Sequence, residues 1–259
     1  MSQFLECDYT VEGKGPHLFL IHGIGAARDA WRYVLPELHE DFTCITFDLL
    51  GHGTSPVPDK ELSLEDLVSD LEALRKRLGI EKAHFAGHSL GGMIGPAYAR
   101  KYPERVLTLG LLSTAAGRTI EDLAKLKAVE EQLLNSGISA TLPTLVSRWF
   151  TDEFIEQNKN LVQRRLDQII HTNPRVFLNV FRIYASTEMA NWLKEITAPS
   201  LVLTGENDGG CNPRLNRFIA KELPNSKLII LDGLKHSILL EAPRQVAAHI
   251  KRFMKIGPT

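Results

Sequence analysis

HFAGHSLGGMI, residues His84 to Ile94, sets one serine between two glycines, straight after one apolar run and straight before another. Gly87-His88-Ser89-Leu90-Gly91 matches G-x-S-x-G, in which a sharp strand-to-helix turn lifts a serine to the edge of a sheet. The pattern means little alone and far more when a strand precedes it and a helix follows. Small residues are wanted two before and two after the serine, where the turn crowds its neighbours; Gly87, Gly91 and Gly92 supply them. A helix starting there also brings free N–H groups and the positive end of its dipole to Ser89.

Outward from this turn the chain alternates short apolar runs with helical patterns. HLFLIHG (17–23) leads into AWRYVLPEL, CITFDLLGHG (44–53) into SLEDLVSDLEALRKRLG, and KAHFAGHS (82–89) into GGMIGPAYARKY. VLTLGLLST (106–114), PSLVLTGEND (199–208) and KLIILDG (227–233) continue the series. The runs are continuously apolar, as in strands covered on both faces, so an α/β fold with a mostly parallel sheet and helices on both faces is expected. In the second helix, Leu64, Leu67, Val68, Leu71, Leu74 and Leu78 form one apolar stripe. Ser63 with Asp66 caps its start and Gly79 its end.

One segment breaks the alternation. From 117 to 196 only helical periodicity appears, which predicts an all-helical cap inserted into a core made of 1–116 and 197–259, over the strand edge where ligands bind. Length and composition suit a single globular domain of this kind: 259 residues, 44% hydrophobic, 24% charged. The formal net charge of -1 gives no global field for nucleic acid or an anionic membrane. No apolar run approaches a membrane span, and MSQFLECDYT lacks the basic and apolar regions of a secretory signal. Three scattered cysteines, Cys7, Cys44 and Cys211, form no metal or disulfide pattern and fit a cytoplasmic protein. The expected partner is a small-molecule substrate; homo-oligomer formation is left open.

A serine hydroxyl needs a base. Of nine histidines, His236 follows the last strand and stands at the same sheet edge as Ser89, whereas His171 and His249 read as ordinary surface or packing residues. Asp208, ending the preceding strand, is the carboxylate expected behind it, with Glu206 and Asp232 as rivals. The tetrahedral oxyanion needs N–H donors, for which Leu90 and Ile24 are placed. His22, His52 and Asp48 read as supports of turns. In the cap, Trp149 and Phe150 offer an apolar wall, and Arg148, Arg175 and Arg182 offer guanidinium groups to a substrate carboxylate.

Taken in order, LFLIHGIG, FDLLGHGTS, GHSLGGM, YPERV, PSLVLTGEND and KHSILLEAP resemble the α/β-hydrolase superfamily over essentially the whole chain. The resemblance implies Ser89 as nucleophile, His236 as base, Asp208 as acid, and Ile24 and Leu90 as oxyanion donors. It implies no metal or organic cofactor. Serine at 89 departs from the aspartate of epoxide hydrolases and haloalkane dehalogenases, and Ser237 from the tryptophan of meta-cleavage hydrolases. The pattern is similar to that of carboxylesterases and enol-lactonases, with cleavage of an ester, lactone, thioester or amide of a small organic substrate expected. A small-molecule receptor or slow-turnover binding protein, or a lyase or acyltransferase on the same residues, is the alternative.

Overall fold

The computed structural model describes residues 6–256, so the first five residues of the stretch read as lacking a secretory signal lie outside it. Every apolar run becomes a strand: β2 His17–Ile21, β3 Thr43–Phe47, β4 Ala83–His88, β5 Val106–Leu112, β6 Ser200–Gly205 and β7 Ser226–Leu231. β1, Tyr9–Gly13, was not expected. It is a half-exposed edge strand, antiparallel to β3, so it carries no continuous apolar run.

The seven strands run in the order β1-β3-β2-β4-β5-β6-β7, parallel apart from β1. Successive residues alternate faces, and both faces are dry. Phe19 and Ile21 of β2 join one apolar cluster, Leu18 and Leu20 the other, and all four are wholly buried. Each such side chain contributes about 1.5–3 kcal/mol on leaving water. Helices α1 (Leu64–Arg77) and α2 (Gly91–Lys101) cover the first face; on the same side lies α7 (Pro213–Glu222). The other face packs on α8 (Ile238–Glu241) and α9 (Pro243–Ile256), and on Trp31 and Val34. The stretch AWRYVLPEL is not one helix but two short 3-10 turns, Arg28–Trp31 and Leu35–Glu37, the second with Pro36 in its first turn. α1 starts with a complete Ser63–Asp66 capping box, and Gly79 beyond its end has φ +66°.

Between β5 and β6 the chain forms a helical layer: α3 (Ile120–Trp149, broken at Gly137), α4 (Asp152–Gln157), α5 (Lys159–Ile170) and α6 (Pro174–Ser186). At its two roots one carboxylate, Glu188, accepts from Gly117 N (2.9 Å), Arg118 N (3.2 Å) and Ala190 N (2.8 Å). Elsewhere Asn179 and Leu62 exchange two hydrogen bonds, and Ser237 N donates to Trp149 O at 2.8 Å. Because β2 lies between β3 and β4, the chain reverses its direction across the sheet there. The loops after β2 and β4 therefore part, leaving a crevice at the strands' C-terminal ends.

Candidate active site

Ser89 follows β4 directly, with φ +56°, a left-handed conformation that costs an L-residue about 1–2 kcal/mol. The turn around it is closed by backbone contact. A Cβ on Gly87 would sit 2.0 Å from Gly91 O, and one on Gly91 2.3 Å from Ile21 O, so neither position admits a side chain. The neighbouring β2 loop touches the serine itself: a Cβ on Gly23 would stand 2.9 Å from Ser89 Cβ. Ser89 N is held by Leu112 O (2.9 Å), while Leu90, at the start of α2, and Ile24 donate their N–H to no acceptor among the described residues.

His236 Nδ1 donates to Asp208 Oδ2 at 2.7 Å. The other oxygen, Oδ1, accepts from Gly210 N (3.0 Å) and Cys211 N (2.8 Å), which fixes the carboxylate plane. Burial alone would raise the Asp208 pKa; the His236 charge and the hydrogen bonds outweigh it and hold it below the ordinary value. Burial likewise opposes the imidazolium of His236, and the adjacent Asp208 charge overcomes it and raises that pKa. The rivals stand apart: Glu206 is exposed and accepts from Gly233 N, and Asp232 is exposed.

Two further histidines and a carboxylate hold the loops. His88 Nε2 donates to the His236 carbonyl at 2.9 Å, tying the His236 loop to the residue before Ser89; burial lowers its pKa to about 3, so it stays neutral. The serine motif alone gives His88 no role, because its partner lies 148 residues on. His52 is likewise kept neutral by burial. Asp48, almost wholly buried, accepts from Arg28 N (2.6 Å), Arg28 Nη1 (2.8 Å) and Thr54 N (3.0 Å), so it does tie down its loop.

Ser89, His88, Asp208, His236 and Ile24 line one cavity of about 480 Å³, together with Arg148 and Trp149 from the helical layer. A volume of this size suits a small organic ligand. Phe150 does not line it: this residue ends α3 in an extended conformation, is fully buried and stacks on Phe154 at 5.7 Å. Arg175 and Arg182 are also diverted, the first to the carbonyls of Pro58 and Asp59, the second to Glu130 and Glu61. Their places in the wall are taken by Arg164 and Arg165 of α5 and by Tyr184 and Cys211, which sequence spacing did not reveal. Asp208, Cys211 and His236 bring a carboxylate, a thiol and an imidazole within 4.8 Å of one another. Asp208 already accepts from His236 and from two amides.

The model of the alpha/beta hydrolase fold matches residues 16–243. The chain belongs to that family. It is an α/β-fold hydrolase, and relatives of similar length agree. 3-Oxoadipate enol-lactonase 2 of Acinetobacter baylyi is 26% identical over 260 residues, covering 97% of this chain and 96% of the relative. The structure of a hydrolase from Pseudomonas aeruginosa superposes with a TM-score of 0.88 at 26% identity, covering 98% of this chain and 99% of that one. A thermophilic esterase from Thermogutta terrifontis gives 0.88 at 25% identity, over 98% and 95% of the two chains. No helix among the described residues of this hydrolase is long and apolar enough to cross a membrane.

Proposed function

We propose that the enzyme is a serine hydrolase that cleaves an ester, lactone, thioester or amide of a small organic acid through an acyl-enzyme. The observation that carries this reading is the His236–Asp208 bond of 2.7 Å in the same cavity as a serine held at φ +56°. His236 takes the proton of Ser89 as its oxygen attacks the carbonyl. The tetrahedral oxyanion rests on the N–H groups of Ile24 and Leu90. His236 then protonates the leaving group, and afterwards draws a proton from the water that releases the acid. Asp208 holds the ring in the tautomer whose Nε2 is free to accept.

The helical layer, 117–196, acts as a cap that closes the cavity over the sheet edge, with Arg148 and Trp149 facing the substrate. Arg148 has no ion-pair partner among the described residues, which supports a substrate of acidic character. The buried, unpaired cysteines fit the cytoplasm as its place of work. Hydrolysis of p-nitrophenyl acetate by the wild type and by Ser89→Ala, with a fluorophosphonate label on each, tests the reading. Turnover and labelling are expected to vanish together in a folded variant; retained turnover would overturn it.

A further inference from the structure

The loop after β2 runs Gly23-Ile24-Gly25, and each of its three carbonyls is claimed. Gly23 O accepts from His22 Nδ1 at 2.8 Å and from Ala26 N at 3.3 Å. Ile24 O accepts from Arg165 Nη2 at 3.2 Å, and Gly25 O from Arg165 Nη1. The N–H groups of the same three residues, that of Ile24 among them, have no acceptor among the described residues. Ile24 lines the cavity, where an open backbone donor is available to a ligand atom.

The two holds differ in origin. His22 belongs to the sheet core: its Nε2 accepts from Leu49 N at 2.9 Å, so Nδ1 carries the proton toward Gly23 O. Burial lowers its pKa to about 4, and the ring stays neutral. Arg165 reaches down from α5, 140 residues further along the chain. Gln168, on the same helix, accepts from Arg165 Nη1 (3.1 Å) and donates to Asp29 Oδ1 (2.9 Å), which aims the guanidinium. All of these Arg165 partners are neutral. Its pKa is lowered by burial to about 10, so the fork is still charged at neutral pH. Charge-assisted bonds to two adjacent carbonyls are a demand that a planar guanidinium meets and a lysine does not.

We propose that Arg165 is a positioning residue for acyl transfer: its fork across the Ile24 and Gly25 carbonyls fixes the loop so that the Ile24 N–H faces the tetrahedral oxyanion. This rests on the serine mechanism proposed above. Charge on that oxygen develops only in the transition state, so loss of the fork falls on kcat and leaves KM nearly alone.

The test uses the full chain, neutral p-nitrophenyl acetate, and phenylboronic acid as a tetrahedral mimic on the serine. Arg165→Met is expected to lower kcat about 10- to 100-fold, with KM moved by less than about threefold. Boronate affinity should fall by the same factor as kcat/KM. Arg165→Lys should recover only part of the loss. Gln168→Leu, a milder change that frees the guanidinium, should give a smaller loss of the same kind and serves if the methionine variant does not fold. Rates are normalised to fluorophosphonate-reactive sites, so a merely structural role shows as fewer sites with kcat unchanged, and overturns the proposal. Full rescue by lysine also overturns it. So does a loss confined to KM for the anionic ester mono-p-nitrophenyl succinate, which would make Arg165 a substrate-binding group. If Ser89→Ala still turns over, the serine mechanism itself fails. If Ser89→Ala is inactive and both Arg165→Met and Gln168→Leu keep wild-type kcat, only the present inference does.

Discussion

Asp208→Asn should abolish catalysis without unfolding the protein, and the hydrogen bonds around Asp208 say why. Oδ1 accepts from two backbone amides, Gly210 N and Cys211 N. An asparagine in this pose must keep its carbonyl oxygen there, since its NH₂ would confront two donors. The NH₂ is then turned toward His236 Nδ1, where the carboxylate accepted at 2.7 Å. His236 can meet it only by accepting at Nδ1, which moves the ring proton to Nε2 and leaves no base toward Ser89. A wrong-tautomer substitution of this type costs about 10⁴-fold in kcat, or about 5.4 kcal/mol of barrier. The two amides remain satisfied, so the midpoint of thermal unfolding should move by only about 2–4 °C, corresponding to about 1 kcal/mol. Asp208→Ala strips both amides of their acceptor and should be the less stable variant. The assay is p-nitrophenyl acetate hydrolysis near neutral pH beside calorimetry of each variant. An asparagine variant within about tenfold of wild-type kcat would refute the tautomer argument.

Four further outcomes are expected. In the proposed mechanism His236 must be neutral to accept the Ser89 proton, and Asp208 raises its pKa, so kcat/KM should climb with pH through an inflection above the ordinary value of about 6.5. Residual activity of Asp208→Asn should show that inflection lower; an unchanged inflection counts against His236 as the base. By linkage, the His236 contribution to stability is whole below the ordinary histidine pKa and fades as pH rises through the raised one, which unfolding measured across pH will check. Ser89→Gly relieves the strain at φ +56° and should be inactive yet more stable than Ser89→Ala by about 1 kcal/mol in denaturant melts. Glu188→Gln replaces an acceptor of three amides by a group with one acceptor oxygen; it should cost about 1–2 kcal/mol, read as a lowered unfolding midpoint.

Much of this molecule was legible because its strands are buried on both faces, so each reads as an unbroken apolar run. β1 escaped because an edge strand needs only half its residues dry. Ser89 stood out because the turn that presents it excludes side chains at Gly87 and Gly91, a requirement visible as letters. The choice among Glu206, Asp208 and Asp232 rested on place in the chain; what singles out Asp208 in space is the pair of amides two and three residues further on. The wall of the cavity was less readable. Arg148, Trp149 and Phe150 look equivalent in sequence, yet the helix ends at Trp149 and the extended backbone at Phe150 sends that ring into the interior. Arg165 acquires its partners only through folding, from carbonyls 140 and 141 residues away, and no local pattern marks a contact of that kind.

The break in α3 has a consequence for how such an enzyme can change. Gly137 holds φ +75° at an exposed position, and a Cβ built there would meet nothing within 4 Å. The turn itself faces open space, while Leu133 and Ile138 on either side of it are buried and Thr141 Oγ1 donates to Gly137 O at 3.0 Å. The arm beyond it carries Leu145, Arg148 and Trp149 to the cavity. Residues added or removed at this joint re-aim that arm while the sheet edge beneath keeps its geometry. A lineage can therefore resize the chamber and trade one clientele for another at a single surface elbow, leaving the sheet edge below as it was inherited.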